Sequence, residues 1–221
     1  MNFNDINWLG HASFFFTDAL DNKVYFVDPF QLGKRKLEKA DLIFITHAHP
    51  DHFSQEDIEK IITDKTTIIA PIDILEKINI PKDRKMTVLP NNNYEAKGFK
   101  FSTTPAYNNH PDRLNFHPKV NNWVGYIFEL NGKKIYHGGD TDFIEEMKSL
   151  KNMNLDIAML PMDGIYCMGA EEMANAANAI SAKMTIPMHY KRQNPSNYNE
   201  LEEKLKELVT NSKVVVLEEF T

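Results

Sequence analysis

At 221 residues, the chain has the length of one sizeable domain, expected to run from 1 to 221 as a single unit. Residues of the AVILMFWYC set make up 42% and charged residues 25%, a balance that excludes long disorder, a collagen-like repeat and a disulfide scaffold. The formal charge of −6 argues against nucleic acid as a partner, since such binding leans on a basic surface, and favours a small-molecule substrate.

No stretch approaches the roughly 20 apolar residues of a membrane span. Residues 1–11 carry acids and amides where a secretory leader has a basic and then an apolar region. The single cysteine, Cys167, forbids an internal disulfide. Together these features predict a cytoplasmic protein with no membrane partner, and leave the oligomeric state open. Short basic clusters occur only at Lys34, Arg35, Lys36 and Lys39 and at Lys191 and Arg192.

In chain order, β-branched and aromatic runs predict strands at 13–17, 24–27, 42–45, 67–70, 86–89, 99–103, 124–130, 134–136, 157–160, 184–187 and 213–217. Helical patterns fall between them. Ser54 caps a helix over 55–62, with Ile58, Ile61 and Ile62 on one face. A second helix, 170–180, buries a stripe of Met173, Ala174, Ala177 and Ile180, and a third, 198–209, has Leu201, Leu205, Leu208 and Val209 at helical spacing. Asn131-Gly132 is a tight hairpin turn. Paired strands precede strand–helix alternation, and the order recurs in the second half. Two sheets with helices outside is the simplest architecture that buries all these faces.

The informative segment is Thr46-His47-Ala48-His49-Pro50-Asp51-His52, between an apolar strand and the capped helix. Imidazole and carboxylate are the donors that a borderline divalent ion such as zinc accepts. His47 and His49 lie two apart, so on extended backbone they point to the same side and can share an ion. Asp51 and His52 lie beyond the turn, displaced towards a second ion.

This HxHxDH pattern resembles the signature of the metallo-β-lactamase superfamily, an αββα sandwich of two mixed sheets with metals at one edge. Within that superfamily the chain is similar to small metal-dependent hydrolases of the ascorbate-6-phosphate lactonase type. The resemblance also rests on Trp8-Leu9-Gly10-His11-Ala12-Ser13, Val27-Asp28-Pro29-Phe30, Pro105-Ala106-Tyr107-Asn108, Tyr136-His137-Gly138-Gly139-Asp140-Thr141-Asp142 and Ile186-Pro187-Met188-His189-Tyr190. It implies one or two divalent ions, zinc first, with manganese or iron as alternatives. His47 and His49 would bind the first ion, Asp51 and His52 the second, Asp140 would bridge, and His189 would complete the second site.

The sequence departs from this pattern where relatives carry Ala-x-His. Here Asn108 follows Ala106-Tyr107. Three arrangements are open: Asn108 ligates through its carbonyl oxygen, His110 or His117 folds back to replace it, or the first site is loose and one ion is held. Asn108 is carried forward as the ligand and His117 as a site residue. His11 is expected at the mouth of the site, either bracing a ligand side chain or touching substrate, and Asp28 is expected to hold a ligand histidine by its distal nitrogen. Tyr190 and Tyr107 are hydroxyl donors beside expected ligands. His137 is expected to be structural.

The implied chemistry is hydrolysis of a small ester-type substrate, phosphodiester or lactone, by metal-activated hydroxide. Asp51 would orient it, and His117, His11 or Tyr190 would take up the oxyanion. Lys119, Lys191 and Arg192 would be available to a phosphate. The alternatives are a non-catalytic metal-binding module, supported by the Asn108 departure, and a nucleic-acid phosphodiesterase, disfavoured by the acidic charge.

Overall fold

The structure, a computed structural model, describes residues 5–190 and 198–221. An antiparallel meander comes first: β1 (Ile6–Gly10), β2 (Ser13–Thr17) and β3 (Val24–Val27). Pairing then turns parallel through β4 (Leu42–Phe44), α1 (Gln55–Ile61), β5 (Thr67–Ala70), α2 (Ile72–Leu75) and β6 (Lys85–Thr87). The second half repeats the plan. β7 (Asn93–Ala96), β8 (Phe99–Pro105), β9 (Val124–Leu130) and β10 (Lys133–His137) form a meander. A 3-10 helix, Glu145–Met153, leads to β11 (Ile157–Pro161), α3 (Ala170–Ile180), β12 (Met184–Met188), α4 (Tyr198–Leu208) and β13 (Lys213–Val214), with parallel pairing from β10 onward.

The strands form a six-stranded sheet in sequence order and a seven-stranded sheet in the order β13-β12-β11-β10-β9-β8-β7. With helices outside both sheets, this is the four-layer αββα sandwich that the patterning and the resemblance imply. Alternation along the strands builds it. Phe14 and Phe16 face the central core while Phe15 faces the outer one, and Leu42 and Phe44 oppose Ile43 and Ile45 in the same way. At the centre, Phe44 meets Phe101, Tyr126 and Phe128 edge-on at ring distances of 5.1, 5.2 and 4.9 Å. Ser54 accepts the Asp57 amide and starts α1, whose Ile58 and Ile61 pack on the outer face of the first sheet.

Differences from the sequence reading have tertiary causes. The β-branched run 213–217 pairs only over Lys213–Val214, because the chain end crosses to the first sheet. There the Phe220 amide donates to the Trp8 carbonyl (2.7 Å) and Arg35 Nε to the Phe220 carbonyl (2.6 Å). β7 is polar and gave no strand signal; it exists because Lys97 and Gly98, both at positive φ, fold it back onto β8. Among the described residues, no helix is long and apolar enough to cross a membrane.

Since Phe44 is fully buried among four aromatic rings, Phe44→Ala is expected to cost about 3–5 kcal/mol of stability in denaturant unfolding. A loss below about 1 kcal/mol would remove it as the link between the sheets.

Candidate metal centre

Strand ends converge along one edge of the sandwich. β4 runs into the histidine loop, β3 ends at Asp28, β10 at Asp140, β11 at Asp163 and β12 at His189. His11 comes from the turn between β1 and β2, and Asn108 and His117 from the loop after β8. Glycine at position 139 is required: its φ is +63°, and a Cβ there would meet the Val124 carbonyl at 3.0 Å and Thr46 Cβ at 3.1 Å.

Two donor groups result. His47, His49, His117 and Asp140 form one, and His11, Asp51, His52 and His189 the other, each with its ligand atoms within 4.8 Å of one another. Asp140 Oδ2 stands between them, 3.3 Å from His117 Nε2, 3.4 Å from His52 Nε2, 3.1 Å from His189 Nε2 and 3.8 Å from His47 Nε2. His52 Nε2, His117 Nε2, His189 Nε2 and Asp140 Oδ1 are buried and make no hydrogen bond of good geometry. Each such atom costs about 1–3 kcal/mol unless something partners it. The donor set fits a divalent cation.

A second layer fixes these side chains. Asp28 receives the Thr46 amide (2.8 Å) and hydroxyl (2.7 Å), and its Oδ2 lies 2.8 Å from His52 Nδ1, the contact expected from sequence. Asp163 Oδ2 lies 2.9 Å from His189 Nδ1, placed there by the β11–β12 register of Pro161 opposite Met188. The Trp123 ring packs 5.0 Å from both His47 and His49, its Nε1 donating to Asp73 (2.9 Å). His11, Asp28 and His189 sit at φ of 54°, 45° and 65°, left-handed backbone that costs about 1–3 kcal/mol each and persists only where the surroundings enforce it.

Charge follows from these contacts. Burial lowers His47 well below the usual imidazole range, and lowers His49 and His11 to about 4, so all three are neutral at physiological pH. His11 therefore donates as a neutral Nε2–H to Asp51 Oδ2 (3.1 Å). Burial opposes the Asp51 carboxylate, but that hydrogen bond and the His52 charge outweigh it and hold the group ionised. Burial also opposes charge on His52 and His189. The facing carboxylates, Asp140 with Asp28 for one and with Asp163 for the other, win and raise both, His189 to about 9. Asp140 is held well below the usual carboxylate range: burial works to raise it, and the charges of His189 and His52 overcome that.

Several expectations need correction. Asn108 is not among the donors: its Oδ1 accepts from His117 Nδ1 (2.8 Å), and its Nδ2 donates to the Tyr166 carbonyl (2.6 Å). With both amide atoms engaged, Asn108 instead holds His117, whose Nε2 faces Asp140 as in the second of the three arrangements left open. His117 therefore stands in the donor group and not apart as an oxyanion donor. Tyr190 is fully buried and its hydroxyl donates to Glu202 of α4, away from the cluster. His11 is 8% exposed and braces Asp51, the first of the two places expected for it, and does not line the cavity as a substrate contact would. Tyr107 and Lys119 pair with Glu146, and His110 stands in solvent beside Asp112. Lys191 and Arg192 lie outside the described residues. His137 is structural as expected, its Nε2 bonded to the Ala12 carbonyl (2.9 Å).

Sequence reasoning gave no role to Asp163, Asp142 or Trp123. Asp142 follows Asp140 by two residues and accepts the Asn109 and His110 amides (2.9 Å each), pinning the loop that carries His117. For Asp163 the available signal was an aspartate two residues past a fully buried strand. Above the donor groups opens a cavity of about 530 Å³, lined by His49, Pro50, Asp51, Phe116, His117, Asp140, Ile165, Tyr166 and His189.

Comparison with known proteins identifies the family. A family described as the beta-lactamase superfamily domain matches residues 5–189. A UPF0173 metal-dependent hydrolase of Thermococcus onnurineus is 33% identical over 196 residues, covering 84% of each chain. Its counterpart in Pyrococcus abyssi is 33% identical over 227 residues, covering 96% of this chain and 95% of that one. A crystal structure from Parabacteroides distasonis, of a protein assigned as a metal-dependent hydrolase, matches with a TM-score of 0.83 at 32% identity, covering 97% of this chain and 93% of that one. The metallo hydrolase Igni18 of Ignicoccus hospitalis shares the fold, with a TM-score of 0.74 at 24% identity and coverage of 96% and 94%. The chain thus belongs to the metallo-β-lactamase superfamily, among the UPF0173 metal-dependent hydrolases.

Proposed function

We propose that this protein hydrolyses an ester-type bond, phosphodiester or lactone, in a small molecule, using one or two divalent ions. Zinc suits the imidazole-rich donors best, and manganese or iron also match them. The observation that carries the reading is a pair of adjacent donor groups beneath an open cavity, with Asp140 Oδ2 facing imidazole nitrogens of both. His47, His49, His117 and Asp140 would hold one ion, and Asp51, His52, His189 and Asp140 the other. A cation held there would make water at the site acidic enough to lose a proton near neutral pH and would offset the negative charge that develops on the substrate.

The chain's own residues supply orientation. Asp51 lines the cavity as a carboxylate, with one oxygen fixed by His11, and orients the attacking water by accepting its hydrogen bond. Asp28 and Asp163 fix the tautomers of His52 and His189, leaving each Nε2 directed at Asp140. Asn108 does the same for His117 through a neutral amide. Cys167 is fully buried and burial pushes its thiol well above its ordinary range, which leaves no role for it as nucleophile. The non-catalytic alternative drew on Asn108, and His117 fills the place that Asn108 left.

Asp140→Asn is expected to abolish hydrolysis with the fold retained, read as turnover beside thermal unfolding; near-normal turnover in a metal-verified variant would end this mechanism. The substrate reading is tested on zinc-loaded protein with bis-p-nitrophenyl phosphate, simple lactones, a thioester and a chromogenic cephalosporin, where silence on all four contradicts it. Asp28→Asn is expected to weaken zinc binding roughly 10- to 100-fold in chelator competition. His52 and His189 carry protons at neutral pH, and ligation requires them neutral, so zinc loading is expected to release about two protons. Calorimetry in buffers of different ionisation enthalpy reads that number. Affinity is expected to rise as pH climbs towards 9, and a flat profile there would contradict the charge assignment.

A further inference from the structure

Above the donor groups, the rim of the cavity is apolar. Phe116 comes from the loop after β8, Ile165 and Tyr166 from the loop after β11, and Pro50 from the histidine loop. Ile165 is 50% exposed and Tyr166 41%, and Phe116 meets the Tyr166 ring edge-on at 4.9 Å. These side chains are not exposed through slack in their loops. Asp163 Oδ1 accepts the amides of Ile165, Tyr166 and Cys167 at 2.6, 2.7 and 3.0 Å. Arg113 ties the two loops together through Asp142 (2.9 Å) and the Cys167 carbonyl (2.7 Å). Apolar groups displayed by anchored loops around a polar floor mark a site for an apolar part of a ligand.

Among the described residues, charge on the rim points the same way. Among the described residues that line the cavity, none is lysine or arginine. The two cations of the neighbouring loop are committed elsewhere, Arg113 to Asp142 and Glu172 and Lys119 to Glu146. A phosphodiester presents two charged non-bridging oxygens and ordinarily meets cationic or amide donors. An uncharged acyl group needs none.

We propose that the substrate is a neutral carboxylic ester, open or cyclic, with an apolar substituent that lies on Phe116, Ile165 and Tyr166. The proposal rests on the hydrolase reading and narrows it. Water adds its oxygen to the acyl carbon and the acyl C–O bond breaks. The products are a carboxylate and an alcohol, tethered together when the ester is a lactone; one water proton goes to the leaving oxygen and the other to solvent.

The test measures binding and turnover separately on the zinc-loaded protein. Calorimetry with butyrate, pentanoate, hexanoate and heptanoate as product analogues is expected to show affinity rising about fourfold per methylene. The Ile165→Ser and Phe116→Ala variants, at exposed and half-exposed positions, are expected to fold normally and to flatten that rise. For p-nitrophenyl acetate, butyrate and hexanoate, kcat/KM is expected to climb in parallel and to exceed that for bis-p-nitrophenyl phosphate. A flat carboxylate series overturns the apolar site and leaves hydrolysis itself standing. Faster turnover of the phosphodiester than of every ester overturns the ester assignment. Absence of turnover on all compounds ends that assignment and the hydrolase reading together.

Discussion

A buried carboxylate, Asp140, faces three imidazole nitrogens at 3.1 to 3.4 Å, and the rest of the molecule is arranged to keep it there. Taking such a group out of water costs several kcal/mol, which only opposite charge or a cation offsets. The protein's own charges do so in part through raised pKa values at His52 and His189, and each of those imidazoles has a second carboxylate behind it. The cluster is therefore a set of coupled groups whose protons and cations compete for the same nitrogens.

Holding that cluster requires a stiff support. The aromatic core between the sheets, centred on Phe44, fixes the relative position of β4 and the strands of the second sheet, and with it the separation of the histidine loop from Asp140. Cross-sheet hydrogen bonds at the edge finish the job: the Val124 amide donates to the Thr46 carbonyl (3.2 Å) and the His189 amide to the His11 carbonyl (3.0 Å). Left-handed backbone at His11, Asp28 and His189 is tolerated because these contacts over-determine it.

The loop after β11 serves both donor groups at once. Asp163 at its start holds His189, and the Tyr166 carbonyl further along anchors Asn108, which in turn holds His117. The same loop displays Ile165 and Tyr166 over the cavity. A change in its conformation would reach both donor groups and the apolar rim together.

The HxHxDH segment was legible because its donors lie within six residues, where the backbone alone brings them together. Strand periods, the Ser54 cap and the Asn131-Gly132 turn were legible for the same reason: each depends on forces acting within a few residues. Which imidazole fills the third place was not legible. Asn108 looked like the ligand by position, and only the fold of the loop over 109–118 shows His117 turning its Nε2 inward while Asn108 braces it. Nor could sequence show that Tyr190 turns towards α4 or that Asp163 reaches His189, since both depend on helix packing and parallel-strand register. Local chemistry fixed the kind of donor; long-range packing, whose energy is summed over residues far apart in the chain, decided which donors meet.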